Sequence, residues 1–198
     1  RRCGIMPPFC VPMPLPFVSF GPAESSPAVS PALRLRAMGA DDVPAVLAIQ
    51  AACYGAQTVE PEAVIRRRLA VAPETAWVAE AATGVCAYLV GYRSSRGRLT
   101  PLHGDFEPQP AGDCLYLHDL AVAAAAAGVG AARALIERAW AHARALGLTH
   151  SALVSVQDSR AFWQKRGYAV VAELSPEQRR LLSTYPGPSD YMARALEA

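Results

Sequence analysis

The chain has 198 residues, enough for one domain that buries a sizeable core without disulfides or metal ions. Its formal net charge is +2 with acids and bases interspersed, and no apolar run could span a membrane, so composition supports neither a nucleic-acid nor a membrane partner. Five cysteines without C-x-x-C spacing or a histidine cluster argue against a zinc site and favour a reducing, cytoplasmic setting.

The first 32 residues differ in composition from the rest of the chain. Residues 1–32 contain eight of the 17 prolines and only three charged residues. Proline excludes regular helix and removes hydrogen-bond donors. We therefore expect residues 1–32 to form an irregular N-terminal extension and residues 33–198 to form the single domain. The apolar content of the extension also permits packing along the domain or against a partner chain.

The domain begins with a strand and two helices. Alternation over residues 33–38 predicts a strand. Asp41 or Asp42 is expected to cap a helix that ends near Cys53. A second helix is expected from Pro61 to about Ala70, because proline is tolerated in the first turn of a helix.

A hairpin and a long loop follow. Residues 76–81 and 85–92 are two apolar strands joined by a Thr-Gly turn, which is typical of a β-hairpin. Residues 93–113 are rich in Gly, Pro, Asp and Ser and predict a loop. Loops of this length inside a domain often carry function.

The most informative stretch is a strand, a glycine turn and a long helix. Residues 115–122 predict the strand, and Gly128 and Gly130 allow the backbone of the turn to approach a ligand closely. The free N–H groups and the dipole at the helix start favour an anionic group such as pyrophosphate. Gly147 is expected to end the helix. The buried stripe of this helix is predicted to consist of Val129, Ala132, Leu135, Ile136, Ala139, Trp140, Ala143 and Leu146.

The remaining residues continue the alternation of strands and helices. Strands are predicted over residues 150–156, 168–174 and 191–196, and helices over residues 159–167 and 176–184. This order predicts a mixed α/β domain.

Three motifs resemble the GCN5-related N-acetyltransferases, the GNAT family. They are LHDLAV, AGVGAARALIERA and FWQKRGY, and the resemblance in element order covers residues 33–196. A dinucleotide-binding fold would instead need G-x-G-x-x-G in the first βα unit and an acidic residue about 20 positions later, and both are missing. The resemblance implies the GNAT α/β fold, a central mixed, mostly antiparallel β-sheet of about seven strands flanked by helices.

The resemblance also implies acetyl-CoA as cosubstrate, with no metal. One backbone N–H of the strand end is expected to hold the thioester oxygen. Gln157 lies near the position of a family asparagine that touches the cofactor. The residues that the resemblance places beside the pantetheine arm are Leu120, Ala121 and Val122, and those that it places around the pyrophosphate are Gly128, Val129, Gly130, Ala131 and Ala132.

The chain departs from the family pattern just before these glycines. Ala127 stands where the family usually has arginine or glutamine, at the end of a run of five alanines. Backbone amides do not depend on the side chain, but one charge-assisted contact is worth about 1.5–3 kcal/mol. We therefore expect weaker cofactor binding than is usual in the family.

Candidate catalytic residues lie on the same strand. An amine must be neutral to attack a thioester, so a base or a water relay must take its proton. His118 is in the register where aralkylamine acetyltransferases carry a histidine, and Asp119 and Tyr116 are alternatives. Strict alternation would place Tyr116, His118, Leu120 and Val122 on one face of the sheet and Leu117, Asp119 and Ala121 on the other.

The family's usual acid, a tyrosine on the later helix, is replaced by Trp163. Indole is not a usable acid, so Trp163 is assigned to the cofactor site. The thiolate of CoA would take its proton from solvent or from another group, and Tyr54 and Tyr116 are candidates. Tyr168 is expected to pack in the core.

The family places acceptor recognition in the helix-pair region and near the last strands. Glu60 and Glu62 could attract a cationic amine, but carboxylates at a helix start also complement the helix dipole, and we favour this second interpretation. Residues 66–68 are three arginines, which predict a solvated helix face.

The predicted activity is N-acetylation of a primary amine, on a small molecule or a protein N-terminus, by direct attack in a ternary complex. The alternative is a non-catalytic acyl-CoA-binding or sensing domain of the same fold. A homodimer is expected as an option, since dimers are common in the family.

Overall fold

Residues 33–197 are the part of the chain that the computed structural model describes, so the expected extension over residues 1–32 lies outside the described residues. The elements, in chain order, are β1 (Arg34–Ala37), α1 (Val43–Cys53), α2 (Glu62–Val71), β2 (Ala76–Ala81), β3 (Gly84–Ser94), β4 (Cys114–Val122), α3 (Ala131–Ala145), β5 (His150–Ser155), α4 (Arg160–Gln164), β6 (Ala169–Val170), α5 (Pro176–Leu182) and β7 (Asp190–Ala195). No helix in the described range is long and apolar enough to cross a membrane.

The seven strands form one mixed sheet in the order β1-β2-β3-β4-β5-β7-β6. Strands β4 and β5 are parallel neighbours, and the other pairs are antiparallel. A parallel pair needs a crossover connection, which α3 supplies. The mixed α/β fold expected from the sequence is confirmed.

Strands β4 and β5 pair over only part of their length. Residues 114–117 of β4 pair with residues 150–153 of β5. β4 continues to Val122 and β5 to Ser155 without further pairing between them. The two strands therefore separate toward their C-terminal ends, and an opening remains between them in the middle of the sheet.

Helices cover both faces of the sheet. The buried side chains Leu135, Ile136 and Ala139 of α3 form one core with strands β2 to β5. On the other face, Val46 and Ile49 of α1 pack with Val78, Tyr88 and neighbouring residues. Two layers of helix thus bury a sheet that is apolar on both faces.

Two residues expected on the buried stripe of α3 are exposed. Val129 and Leu146 have 39% and 44% of their surface accessible. The helix begins at Ala131 and ends at Ala145, so both residues lie outside it. The helical period does not apply there, and their prediction as core residues is wrong.

The strand predicted over residues 168–174 is much shorter in the structure. Only Ala169 and Val170 form β6, and the Val171 N–H adds one further bond to the Tyr191 carbonyl. The apolar run continues to Leu174, but these side chains pack over the sheet instead of extending it. Apolar residues in a run of this kind do not distinguish a strand from a covering loop.

Asp42 occupies the N-cap position of α1 without capping it. Its side chain makes no bond to the helix N–H groups. Its carboxylate instead accepts bonds from Arg36 and from the Gly39 N–H. The guanidinium of Arg36 lowers the pKa of Asp42. The predicted helix is present, but the role predicted for Asp42 as its cap is wrong.

Candidate active site between the separated strands

A β-bulge interrupts β4 at the first residue of the site. Asp119 pairs with Val90 and Leu117 pairs with Gly91, so His118 is an extra residue without a partner on β3. The backbone of β4 lies so close here that a Cβ on Gly91 would be 2.4 Å from the Tyr116 carbonyl oxygen. Glycine at position 91 therefore allows the close approach at the bulge.

The bulge changes which side chains share a face of the sheet. Leu117 and Val122 both pack in the core formed with α3, whereas Ala121 packs with α1. His118 and Asp119 both contact residues of the α1–α2 region. The alternation expected from the sequence is thus wrong after His118, from Asp119 onward, because one inserted residue reverses the parity of the strand.

The end of β4 presents backbone groups to the opening. The Ala123 N–H donates to the Cys86 carbonyl, so the backbone N–H and C=O groups of alternate β4 residues point toward β3. The backbone groups of Leu120 and Val122 therefore point away from β3. The Cys53 thiol donates to the Val122 carbonyl at 3.3 Å, and the Tyr54 hydroxyl oxygen lies 3.3 Å from the Leu120 carbonyl oxygen. The N–H groups of Leu120 and Val122 face a side where no strand pairs with them.

The turn between β4 and α3 provides further N–H donors. Gly128 and Gly130 have φ angles of 80° and 87°, which non-glycine residues rarely adopt. These angles turn the chain so that the start of α3 follows directly. Within residues 33–197 no protein acceptor binds the N–H groups of Gly128, Gly130, Ala131, Ala132 and Arg133. Five unbonded donors at a helix start form a site suited to an anion.

The opening between the strands forms a cleft with about 640 Å³ of empty space, part of which is open to solvent. Its walls combine the end of β4, the end of β5 and the α4 segment. The lining residues are Tyr54, Leu117, His118, Asp119, Leu120, Val122, Ala132, Leu153, Val154, Val156, Gln157, Ser159, Phe162 and Trp163.

Many of the residues predicted from the sequence meet at this cleft, and others lie outside its walls. Those on its walls are His118, Asp119, Leu120, Val122, Ala132, Gln157 and Trp163. Those that form the adjoining turn and the start of α3 are Ala127, Gly128, Val129, Gly130 and Ala131. Tyr116 and Ala121 are buried in other core clusters and do not line the cleft.

Gln157 has an unusual backbone and an unpaired side chain. It follows β5 with a φ of 51°, and its neighbour Asp158 has a φ of 59°. The Gln157 Oε1 atom is buried and accepts no hydrogen bond within the described chain. A buried acceptor without a donor is costly, so this oxygen is available to a ligand N–H in the cleft.

His118 belongs to a buried chain of three charged or titratable groups. Its Nε2 atom lies 3.3 Å from Glu60 Oε1, and Glu60 Oε2 accepts a bond from Arg68 Nη1. The side chains of all three are no more than 6% exposed. Burial and the Arg68 charge lower the pKa of His118, and Glu60 opposes them. Despite the cost of its burial, the charges of His118 and Arg68 lower the pKa of Glu60 to about 2.

Asp119 is enclosed by three donors. The Tyr54 and Tyr88 hydroxyls each donate to its carboxylate at 2.5 Å, and Gln50 Nε2 donates at 3.0 Å. Burial raises the pKa of Asp119 and the pKa values of both tyrosines. With both carboxylate oxygens occupied, Asp119 is suited to holding Tyr54 and β4 in place.

Tyr116, an alternative proton carrier predicted on β4, does not line the cleft, although its ring centroid lies 6.1 Å from that of His118. Burial raises the pKa of Tyr116 well above its usual range. Tyr168 packs in the core as expected, where its hydroxyl bonds Ser151 and Trp140 and burial raises its pKa to about 12. Trp163 packs edge to face against Tyr168 at a centroid distance of 5.3 Å.

Two site residues were missed from the sequence. Glu60 is 5% exposed and Arg68 3% exposed, so the expected roles as a surface carboxylate and as part of a solvated helix face are wrong for them. They are eight positions apart, too far for neighbouring turns of one helix, so spacing gave no signal. An apolar neighbourhood around Arg68 in α2 was the available hint.

Comparison with known proteins identifies relatives of the whole fold. The sequence profile of the acetyltransferase (GNAT) family matches residues 43–168. No curated protein sequence matches at a significant level. Within residues 33–197, no three or more His, Cys, Asp or Glu side chains are grouped to hold a metal ion.

Three solved structures show the same fold at low sequence identity. Ard1 from Thermoplasma volcanium is 18% identical, with a TM-score of 0.64 over 84% of this chain and 99% of that one. The GphF GNAT-like decarboxylase, in complex with isobutyryl-CoA, is 20% identical, with a TM-score of 0.67 over 83% and 100%. The ribosomal-protein-S18-alanine N-acetyltransferase of Escherichia coli is 13% identical, with a TM-score of 0.57 over 84% and 96%.

Proposed function

Because the chain belongs to the acetyltransferase (GNAT) family, we propose that it is an N-acetyltransferase that uses acetyl-CoA and a primary amine. One observation carries the proposal: a histidine with an unpaired ring nitrogen lines the cleft between β4 and β5. The same cleft adjoins the unbonded N–H groups at the start of α3. A base and an anion site at one cleft are what acetyl transfer from a phosphate-bearing donor requires.

The residues present fit acetyl-CoA. The unbonded N–H groups of the turn and the helix start would bind the pyrophosphate, because they have no acceptor in the described chain; they belong to Gly128, Gly130, Ala131, Ala132 and Arg133. Gln157 Oε1 would accept a bond from an amide N–H of the pantetheine arm. The free N–H groups of Leu120 and Val122 would stabilise charge on the acyl oxygen.

Bound acetyl-CoA supplies the acetyl group: the amine nitrogen forms the new C–N bond, and the C–S bond breaks with its electron pair passing to sulfur. His118 accepts the proton that the amine loses. Burial lowers the pKa of His118, so its imidazole is neutral and able to act as a base at pH 7. Asp119 holds Tyr54 beside the Leu120 carbonyl and keeps this wall of the cleft in place.

Solvent is proposed to protonate the CoA thiolate. Trp163 replaces the family tyrosine, and its indole N–H is not acidic enough to serve. A thiolate is only weakly basic, because the pKa of a free thiol is about 8.5. No protein acid is therefore required for the thiolate to leave.

The acceptor class is proposed to be a small-molecule amine or a protein N-terminus. The Escherichia coli relative acts on a ribosomal protein by its name, which supports the second option. We also retain the proposals that residues 33–198 act as one catalytic domain, that the location is cytoplasmic and that the chain forms a homodimer. Light scattering on the purified protein tests the homodimer.

Two measurements test the activity. Thermal unfolding with and without acetyl-CoA should show stabilisation, since a ligand that binds the folded state raises its stability. Thiol release should then be measured against a panel of polyamines, aralkylamines, amino acids and peptides with free N-termini. Stabilisation without turnover on any amine would favour the non-catalytic acyl-CoA-binding alternative. Absence of stabilisation would overturn both.

A further inference from the structure

The hydrogen bond between Glu60 and His118 decides which ring nitrogen carries the proton. The pKa of Glu60 is lowered to about 2, so this carboxylate is ionised at neutral pH and can only accept a hydrogen bond. Its Oε1 atom lies 3.3 Å from His118 Nε2. In a neutral imidazole one nitrogen carries hydrogen and the other carries a lone pair. Nε2 must therefore carry the hydrogen, and Nδ1 the lone pair.

Nδ1 is the atom of His118 that remains available. It is buried and has no hydrogen-bond partner within the described chain. His118 lines the cleft, whereas Glu60 does not. The bond to Glu60 thus occupies Nε2 and leaves Nδ1 unpaired in a residue of the cleft wall.

Arg68 holds Glu60 in this orientation. It donates to Glu60 Oε2, while its Nε donates to the Gly104 carbonyl at 2.9 Å. Its guanidinium also stacks 4.9 Å from the centre of the Phe106 ring. Phe106 in turn packs edge to face against His118, with centroids 5.3 Å apart. Arg68 therefore ties α2, the 95–113 loop and the Glu60 carboxylate into one arrangement around the imidazole.

We propose that Glu60 and Arg68 are positioning residues, which hold His118 as the neutral Nε2–H tautomer and leave Nδ1 to take the proton of the acceptor amine. The assignment of Nδ1 as the base rests on the proposed acetyl transfer, but the tautomer does not. In this pairing, as in other sites where a carboxylate orients a histidine, the carboxylate fixes the tautomer of the imidazole and stays ionised throughout.

The charges around His118 predict how its titration responds to substitution. Glu60 faces it from the α1–α2 connection and Arg68 from α2. Asp119 and the Tyr116 phenol lie beside it on β4, and the loop contributes the uncharged Phe106 ring. Glu60 favours the imidazolium, and Arg68 opposes it. Glu60→Gln should therefore lower the pKa of His118, and Arg68→Met should raise it, each by about 1–3 pH units.

Nitrogen-15 NMR of the imidazoles tests the tautomer in the whole protein without any substrate. The chain has four histidines, and the signals absent from His118→Ala identify His118. We expect a protonated Nε2 and a lone pair on Nδ1 in the native protein at pH 7 to 8. A protonated Nδ1 would overturn the inference.

The pH titration of the same signals tests the positioning pair. Opposite shifts in Glu60→Gln and Arg68→Met are expected, with the double variant Glu60→Gln/Arg68→Met lying between them. The exposed ion pair of Glu62 and Arg66 lies on α2, the helix that contains Arg68, and gives matched controls. Glu62→Gln and Arg66→Met should leave the His118 titration unchanged. Shifts of the His118 pKa in the same direction, or none, would contradict the proposal. If one single variant fails to fold, the double variant compared with the other single variant still gives the direction of the missing shift.

Kinetics separate this inference from the proposed function. Where an acceptor is found, the acidic limb of kcat should move to lower pH in Glu60→Gln and to higher pH in Arg68→Met, with KM for acetyl-CoA unchanged. The expected NMR results without turnover on any amine would leave the tautomer standing and overturn the acetyltransferase activity. Turnover together with a protonated Nδ1 would support the acetyltransferase activity and overturn the tautomer.

Discussion

His118 and Asp119 are consecutive in the sequence, yet both side chains contact the α1–α2 side of the sheet. In a regular strand neighbouring side chains point to opposite faces. The bulge at His118 removes this alternation and places an imidazole next to a carboxylate. Separate partners, Glu60 for His118 and two tyrosines with Gln50 for Asp119, then give the two residues different environments.

This difference predicts that His118, and not its neighbour, moves the proton. His118→Ala should lower kcat by about 100-fold to 10,000-fold, the usual contribution of a general base, with little change in KM for acetyl-CoA. Steady-state kinetics at several pH values measure it. His150→Ala, at the start of β5 and away from the cleft, is the control. Unchanged turnover between about pH 6 and 9 would remove His118 from the mechanism.

The turn glycine Gly130 should matter for both folding and cofactor binding. Its φ is 87° and an added Cβ would meet no protein atom, so Gly130→Ala would introduce backbone strain of about 1–2 kcal/mol without a clash. Because this strain acts on the N–H groups at the start of α3, we expect about tenfold weaker acetyl-CoA binding, comparable to one lost charge-assisted bond. Calorimetry measures the affinity, and chemical denaturation the stability.

Gly147 offers the matched control for this prediction. It follows the other end of α3, has a φ of 69° and likewise has open space around the position of a Cβ. Gly147→Ala should lose similar stability and keep the affinity for acetyl-CoA. Equal loss of affinity in both variants would mean that Gly130 acts only through the stability of the helix.

We expect that substitution of Ala127 can increase the affinity for acetyl-CoA. An arginine at this position would add one charge-assisted contact to the phosphates, worth about 1.5–3 kcal/mol, or about a tenfold or greater fall in the dissociation constant. Ala127→Arg should therefore bind acetyl-CoA more tightly in a calorimetric titration. Ala125→Arg adds the same charge at an exposed position of the same loop and should have the smaller effect. A dissociation constant of Ala127→Arg equal to that of the parent would contradict this explanation.

The Glu60 carboxylate should make folding stability depend on pH. Its pKa is lowered in the folded state from 4.5 to about 2, so its contribution is present above about pH 4.5 and is lost as the pH falls toward 2. At about 1.4 kcal/mol per pH unit this contribution is roughly 3 kcal/mol. Glu60→Gln should be less stable than the parent at pH 7, where His118 is neutral and Arg68 alone supplies a charge, by up to this amount. The difference should shrink as the pH falls through that window.

Urea denaturation at a series of pH values measures this difference. The exposed Glu62 pairs with Arg66 on the surface of α2, and such pairs contribute little in water. Glu62→Gln should therefore follow the parent within about 0.5 kcal/mol at every pH. A constant difference between Glu60→Gln and the parent down to pH 2 would show that Glu60 contributes by packing and not by charge.

Local patterns in the sequence were sufficient for most of the fold. Apolar periodicity located α3 and the strands around it, and the glycines at 128 and 130 marked the turn. These signals are short-range, since side-chain period and the freedom of glycine act within a few residues. Where apolar residues continued beyond an element, as at Val129 and after Val170, periodicity overestimated the length of that element.

The sequence by itself therefore determined the order of the elements, the family and the glycine turn before α3. Only the tertiary structure decided the environment of His118, because a bulge is one additional residue that leaves no mark in an apolar pattern. The same holds for Glu60, which meets His118 from 58 positions away. Whether a charged side chain is solvated or buried against a partner depends on packing between distant elements, and no local rule contains that information.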